Sequence, residues 1–185
     1  MGDLIYSMGA SIDGYAEDAD GGFDWAAPDD EVHALANQQA REASAFVYGR
    51  RMYDTLDDYW MRAAQDDNRP RVEAEFAEAY SATPRYVVSD SLAAARNGAT
   101  LIPRTAARTT VEHLKAESGT HVDIGGPTFA ATLVDLIDEF RMWVNPVAVG
   151  AGLPFFPAGA GQLDLRLVEC RDFPSGALWL RYRRA

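Results

Sequence analysis

The chain holds one cysteine, Cys170, and only three histidines, His33, His113 and His121, which fall in separate segments. A lone thiol forms neither an intramolecular disulfide nor a cysteine-rich zinc site, and histidines without an i,i+4 partner read as surface or structural residues. No metal site is expected. Positive charge is scarce as well. The 17 Lys and Arg stand against 28 Asp and Glu, and a net charge of −11 offers no general attraction to nucleic acid or to an anionic membrane. No apolar run approaches the ~20 residues of a membrane-spanning helix. The opening Met1-Gly2-Asp3-Leu4-Ile5-Tyr6-Ser7 lacks the basic start and long apolar stretch of a secretory signal. A cytoplasmic protein acting on a small molecule is the expectation. Three motifs are also missing: Gly-x-Ser-x-Gly, GxGxxG and GxxxxGK[ST]. Their absence leaves no serine-hydrolase elbow, no standard Rossmann fingerprint and no nucleotide-hydrolysing loop.

What is present is an acidic chain of 185 residues, 48% apolar and 24% charged, long enough to bury a sizeable core and expected to form one domain over residues 1–185. Apolar periodicity switches repeatedly between strand-like and helix-like spacing, the signature of an α/β fold. Strands are predicted over residues 4–8, 45–48, 85–89, 100–102 and 121–124. Helices are predicted over 28–43, 50–59, 72–80, 111–117 and 128–137. The final segments, 140–147, 163–171 and 177–183, alternate as strands do. No repeat or low-complexity tract divides the chain.

Three segments can carry chemistry. Val122-Asp123-Ile124-Gly125-Gly126-Pro127-Thr128 leads from a strand into a helix. Paired glycines there let a backbone approach a ligand, and helix N–H groups meet phosphate. A plain turn that needs glycine for its own dihedral angles accounts for the same residues, and both readings stand. Tyr48-Gly49-Arg50-Arg51-Met52 repeats the design with two guanidinium groups, which pair with phosphate in a fork or cover a solvated helix face. Two such corners point to a pyrophosphate-bearing cofactor. Ser89-Asp90-Ser91 adds hydroxyls suited to a ribose or its phosphate, with Asp90 an N-cap for a short helix. Trp25-Ala26-Ala27-Pro28-Asp29-Asp30 sets an indole and carboxyls at the mouth of a helix. Asp29 reads as a cap. Asp30 reads as a cap or as a desolvated proton donor. Cys170, Trp143, Trp179, Phe155 and Phe156 read as packing residues, although Phe155-Phe156-Pro157 after Gly150-Ala151-Gly152 is also placed to line a pocket. Tyr182 and the final arginines read as an exposed strand end.

In order and spacing these segments resemble the dihydrofolate-reductase-like superfamily, nearest to stand-alone proteins related to the reductase domain of the bifunctional riboflavin-biosynthesis deaminase/reductase. The resemblance runs through Ser11-Ile12-Asp13-Gly14, Tyr48-Gly49-Arg50-Arg51-Met52-Tyr53, Val87-Val88-Ser89 and Ile124-Gly125-Gly126-Pro127. It closes on the stretch from Asn145 through Gly150-Ala151-Gly152 to Phe156. It implies a mostly parallel central sheet flanked by helices, an antiparallel C-terminal hairpin, a homodimer, and NADPH across the strand ends. By that likeness Gly49, Arg50 and Arg51 hold the adenosine-side phosphates and Ser89 approaches the ribose 2′-phosphate. Gly125, Gly126 and Thr128 cradle the pyrophosphate, and Met8, Gly9 and Ala10 flank the nicotinamide. Trp25-x-x-Pro28-x-Asp30 matches the dihydrofolate reductase spacing, making Asp30 the proton-handling carboxylate, with Trp25 and Phe155 in the substrate pocket. The function implied is NADPH-dependent hydride transfer to a small heteroaromatic or imine-containing substrate. The alternative is a non-catalytic NADPH-binding or dimerising module. The deaminase's zinc-binding groups are absent, and Pro127 stands where the folate enzyme has a third glycine, which removes an N–H from the phosphate corner.

Overall fold

Along the first strand Leu4, Tyr6 and Ala10 alternate with Ile5, Ser7 and Gly9. The pleat sends the two sets to opposite faces, and a strand with apolar residues on both needs helices on both sides. The computed structural model, which describes residues 1–156, 159 and 161–185, shows that arrangement. The chain runs through β1 (Asp3–Ser11), β2 (Tyr15–Asp18), α1 (Asp30–Glu42), β3 (Ala43–Gly49), α2 (Arg50–Ala63), α3 (Arg71–Ala82), β4 (Arg85–Val88) and β5 (Thr100–Ile102). It continues through α4 (Ala107–Glu117), β6 (His121–Gly125), α5 (Pro127–Ala131), β7 (Glu139–Asn145), β8 (Gly152–Pro154), β9 (Leu165–Asp172) and β10 (Leu178–Arg184). Eight strands form one sheet in the order β5-β4-β3-β6-β1-β7-β10-β9, and β2 pairs with β8 in a separate ribbon. Pairing is parallel from β5 to β7 and antiparallel for β7, β10 and β9. The architecture is therefore mixed α/β, with a mostly parallel sheet and a C-terminal antiparallel hairpin.

Each face has its own core. Leu4, Tyr6, Val47, Val122 and Ile124 pack under α4 and α5 through Ala107, Val111, Phe129 and Ala130. On the other face Phe46, Tyr48 and Val87 meet Ala40 of α1, Tyr53 of α2 and Tyr80 of α3. Ile124 is fully buried, and shortening such a residue to alanine typically costs about 2–5 kcal/mol. Helix α1 starts where a cap allows it: the Asp29 side chain accepts from the Val32 N–H at 2.8 Å, acidic Asp30 and Glu31 fill the first turn, and Arg41 stands in the last. A buried ion pair ties α2 to the sheet. Arg85 donates to Asp57 Oδ1 at 3.1 Å, and its remaining hydrogens go to the Tyr80, Ser81, Thr83 and Asn97 carbonyls.

Several local expectations differ. The helix predicted over 128–137 stops at Ala131, where the Thr132 hydroxyl donates to the Phe129 carbonyl at 2.7 Å and Leu133 turns into the core, leaving only a 3-10 turn at Val134–Leu136. No helix forms after Ser89, because Asp90 instead accepts from the Arg104 N–H at 2.9 Å. Cys170 is exposed on the outermost strand rather than packed. Tyr182, expected at an exposed end, packs on the core. Among the described residues no helix is long and apolar enough to cross a membrane.

Candidate active site

Tyr48 at the end of β3 pairs with Gly125 at the end of β6, so the two glycine corners leave the sheet side by side. Their proximity is what demands glycine. A Cβ on Gly49 would lie 3.0 Å from the Phe129 Cβ, and one on Gly125 would lie 2.9 Å from the Tyr48 ring. Gly126 has a φ of +95°, open to glycine and strained for other residues. The 14-residue α2 begins at Arg50, with Gly49 at its N-cap position, no capping side-chain hydrogen bond and no acidic residue in its first turn. Its first N–H groups and the positive end of its dipole are thus available to an anion. Arg50 and Arg51 sit on that turn. Arg50 donates to the Ser91 hydroxyl at 2.7 Å and lies 3.3 Å from Asp54, while Arg51 pairs with Glu17 of β2. Arg104, after β5, completes a cationic rim.

From these corners a cleft of about 1020 Å³ runs across the strand ends and beneath α1, at the upper end of the ~300–1,000 Å³ usual for a small-molecule pocket. Met8, Gly9, Gly49, Arg50, Arg51, Gly125, Gly126 and Thr128 all line it. Five predicted residues do not. Ala10 is fully buried because the pleat turns it away from the cleft, and Phe155 is fully buried on that same opposite face, its carbonyl accepting from the Tyr6 hydroxyl at 3.0 Å. Phe155 is therefore a core residue, and Pro157 lies outside the described residues. Ser89 is buried, its hydroxyl accepting from the Ser91 and Leu92 N–H groups. Trp25 sits in a 3-10 turn beside the cleft, whose wall there is Ala26 and Pro28. Asp30 is the first residue of α1 and exposed to solvent, off the cleft wall. The desolvation expected of it is absent because Asp29 caps the helix and turns Asp30 outward.

Three carboxyls line the cleft among the described residues: Glu17 and Asp54 are paired with Arg51 and Arg50 at the corner end, and Asp123 stands without an ion pair. On β6 Val122 and Ile124 face the α4/α5 core, so Asp123 faces α1, between Ile5 and Phe46 on the neighbouring strands. Burial pushes its carboxyl up to about 7, with the Arg141 guanidinium pulling it down and Glu139 adding to the rise. Part of the residue's surface still opens to the cleft. Gln39 of α1 lines the same space. Its Oε1 accepts from Arg141 at 3.1 Å, while its buried Nε2 has no partner. Above them His33 is buried between Trp60 and Phe76, with ring centroids at 5.9 and 5.7 Å, and shares a 3.0 Å hydrogen bond with Asn37. The sequence carried one signal for Asp123: a carboxylate between two β-branched residues of a strand must face the other way from them. Nothing local marked Gln39 or His33. Among the described residues no group of His, Cys, Asp and Glu is placed to hold a metal ion.

The model of the RibD C-terminal domain matches residues 3–179. The chain belongs to the RibD C-terminal domain family. Among its relatives, the uncharacterized protein YyaP of Bacillus subtilis (strain 168) is 26% identical over 182 residues, 97% of this chain and 93% of YyaP. A protein of Shewanella sp. PV-4 named for riboflavin biosynthesis superposes with a TM-score of 0.74 at 20% identity, covering 100% of this chain and 99% of that one. Dihydrofolate reductase from Enterococcus faecalis, complexed with NADP(H), gives 0.65 at 14% identity over 98% and 96% of the two chains. The RibD reductase fold is thus shared with dihydrofolate reductase across the whole chain. In this RibD C-terminal domain the glycine corners occupy the carboxyl ends of adjacent parallel strands, where open α/β sheets bind ligands.

Proposed function

We propose that the protein is an NADPH-dependent reductase that transfers hydride to a small heteroaromatic or imine-containing substrate. One observation carries the reading: two adjacent glycine corners and the uncapped, arginine-bearing start of α2 open on a single cleft large enough for a dinucleotide and a second molecule. That donor set fits a diphosphate. Backbone N–H groups of the α2 turn and the guanidinium groups of Arg50 and Arg51 would hold the adenosine-side phosphates, and Gly125, Gly126 and Thr128 would hold the pyrophosphate. Met8 and Gly9, at the carboxyl end of β1, would flank the nicotinamide. When bound, the reduced nicotinamide supplies hydride, and the chain's own part is to orient it, exclude water and handle a proton. The family likeness also supports a cytoplasmic setting and a second copy of the chain as partner.

The test is titration with NADPH and NADH, followed by nicotinamide absorbance against dihydropterin, pyrimidine and quinonoid compounds. NADPH is expected to bind, and Arg50→Ala is expected to weaken NADPH roughly tenfold, the size of one charge-assisted contact, while affecting NADH less. Equal losses would remove Arg50 from the 2′-phosphate. A second reading, an NADPH-binding or dimerising module without turnover, is favoured by the exposure of Asp30. Binding with no oxidation across the panel selects it, and failure to bind either dinucleotide overturns both.

A further inference from the structure

The cleft is divided by charge. Its arginines, Arg50, Arg51 and Arg104, all lie at the glycine-corner end, together with Asp54 and Glu17, which pair with Arg50 and Arg51. Beneath α1 the walls are apolar and aromatic, and the ionisable groups that reach the space are Asp123, His33 and Tyr48. We propose that Asp123 is the proton donor of this cleft and that its substrate is a phosphate-free, largely apolar ring carrying a C=N bond, seated beneath α1. The proposal rests on the reductase reading and names its acid and substrate class.

Four observations lead there. The pleat of β6 fixes Asp123 toward the cleft because its neighbours Val122 and Ile124 are fully buried on the other side. Among the described residues no hydrogen bond acts on its carboxyl, leaving both oxygens to a ligand. The Gln39 amide, only 7% exposed, is oriented by Arg141, and its unpartnered Nε2 is a second polar atom awaiting a ligand acceptor. A phosphate monoester beneath α1 would be a buried charge with no uncommitted cation, since Arg141 is already held by Glu139 and Gln39, and this is strongly unfavourable. The charged neighbours do not cancel the effect. Arg141 and Glu139 on β7 are joined at 2.8 Å, Tyr48 on β3 stays protonated because burial raises it well above its usual value, and β1 presents only Ile5 and Ser7. A carboxyl pushed up to about 7 still carries a proton near neutrality.

In the step inferred, hydride from a reduced nicotinamide adds to the imine carbon. The π pair of the C=N bond takes the Asp123 proton at nitrogen, giving an amine N–H and an oxidised nicotinamide, and the carboxylate regains its proton from water. The probe is isoquinoline, an unreactive ring base, titrated into the NADP+ complex at pH 6, 7 and 8 and followed by its own fluorescence. Isoquinoline is expected to bind, Asp123→Asn to weaken it tenfold or more with NADP+ affinity unchanged, and uridine monophosphate to leave it in place. With the cyclic imine dihydroisoquinoline, NADPH oxidation is expected to fall on the alkaline side of about pH 7 in the wild type, and this limb is expected to be missing in the variant. Thermal melting checks the fold, and Asp123→Ser repeats the measurement should the Asn form unfold. Lack of isoquinoline binding to a complex that holds NADP+, equal binding by the variant, or displacement by uridine monophosphate overturns the proposal alone. Failure of NADP+ and NADPH to bind overturns the reductase reading and this one with it.

Discussion

His121 and Asp123 stand two residues apart on one strand, and burial drives them in opposite senses. Asp123 is pushed up to about 7, whereas His121 is lowered to about 4, first by burial and then by the charge of Arg141. The fold holds the Asp123 proton more tightly than the unfolded chain does. Its stabilising effect is therefore complete below the ordinary carboxylate value of ~3.9 and is lost as pH rises through about 7. For His121 the sense reverses: the contribution is complete above ~6.5 and is lost as pH falls toward about 4. Asp123→Asn is accordingly expected to gain melting temperature relative to the wild type as pH rises from 4 to 7, and a pH-independent difference would contradict the shift. Asp30→Asn is expected to leave dinucleotide binding and NADPH oxidation within about twofold, as for an exposed surface residue. The glycines and arginines of the two corners were legible in the sequence because glycine directly after a strand, with guanidinium groups beside it, marks a backbone left open to close approach. Asp123 was not read as chemistry because a three-residue alternation inside an apolar run is too short to show which face a helix will cover. Phe155 was misplaced for the related reason that an aromatic pair after a glycine loop does not tell inside from cleft.

At the scale of elements, the long amphipathic segments were readable and the short ones were not. Helix α2 extends to Ala63, beyond the predicted end near Tyr59, because Tyr53 and Ala63 remain on its buried stripe and Asp57 is held by Arg85. That pair makes Asp57→Ala a severe change. Removing the carboxylate strands a guanidinium that is 6% exposed, and such losses run to about 3–5 kcal/mol, measurable by denaturant unfolding. The ribbon of β2 and β8 escaped the sequence reading, since strands of four and three residues are too short to show a usable period. Its geometry is nonetheless exacting. Gly152 has a φ of +145°, and a Cβ there would fall 1.9 Å from the Glu17 carbonyl oxygen. Gly152→Ala is expected to part the ribbon and speed proteolysis near residues 15–18, and unchanged cleavage would show that the ribbon absorbs a methyl group.

For the whole molecule, a ligand that binds only the folded chain stabilises it by mass action. At one hundred times its dissociation constant NADPH is expected to add about 2.7 kcal/mol, which for a chain of this size raises the melting midpoint by roughly 5–10 °C. NADH at the same concentration is expected to shift it less, and identical shifts would argue against a 2′-phosphate contact. The overall architecture was legible because alternating periods leave few ways to stack helices on a sheet. The strand order was beyond the sequence, since nothing local says that β6 slips between β1 and β3.

That insertion has a consequence during synthesis. The central seam of the sheet, with β1 on one side and β3 on the other, is filled by residues 121–125. A nascent chain that has not yet emerged past them has the β3-β4-β5 half-sheet with a bare edge, and β1 with neither of its sheet neighbours, since β7 is made later still. Translation must therefore deliver most of the polypeptide before those edges are covered, and a ribosome stalled earlier presents a species prone to sticking to its neighbours.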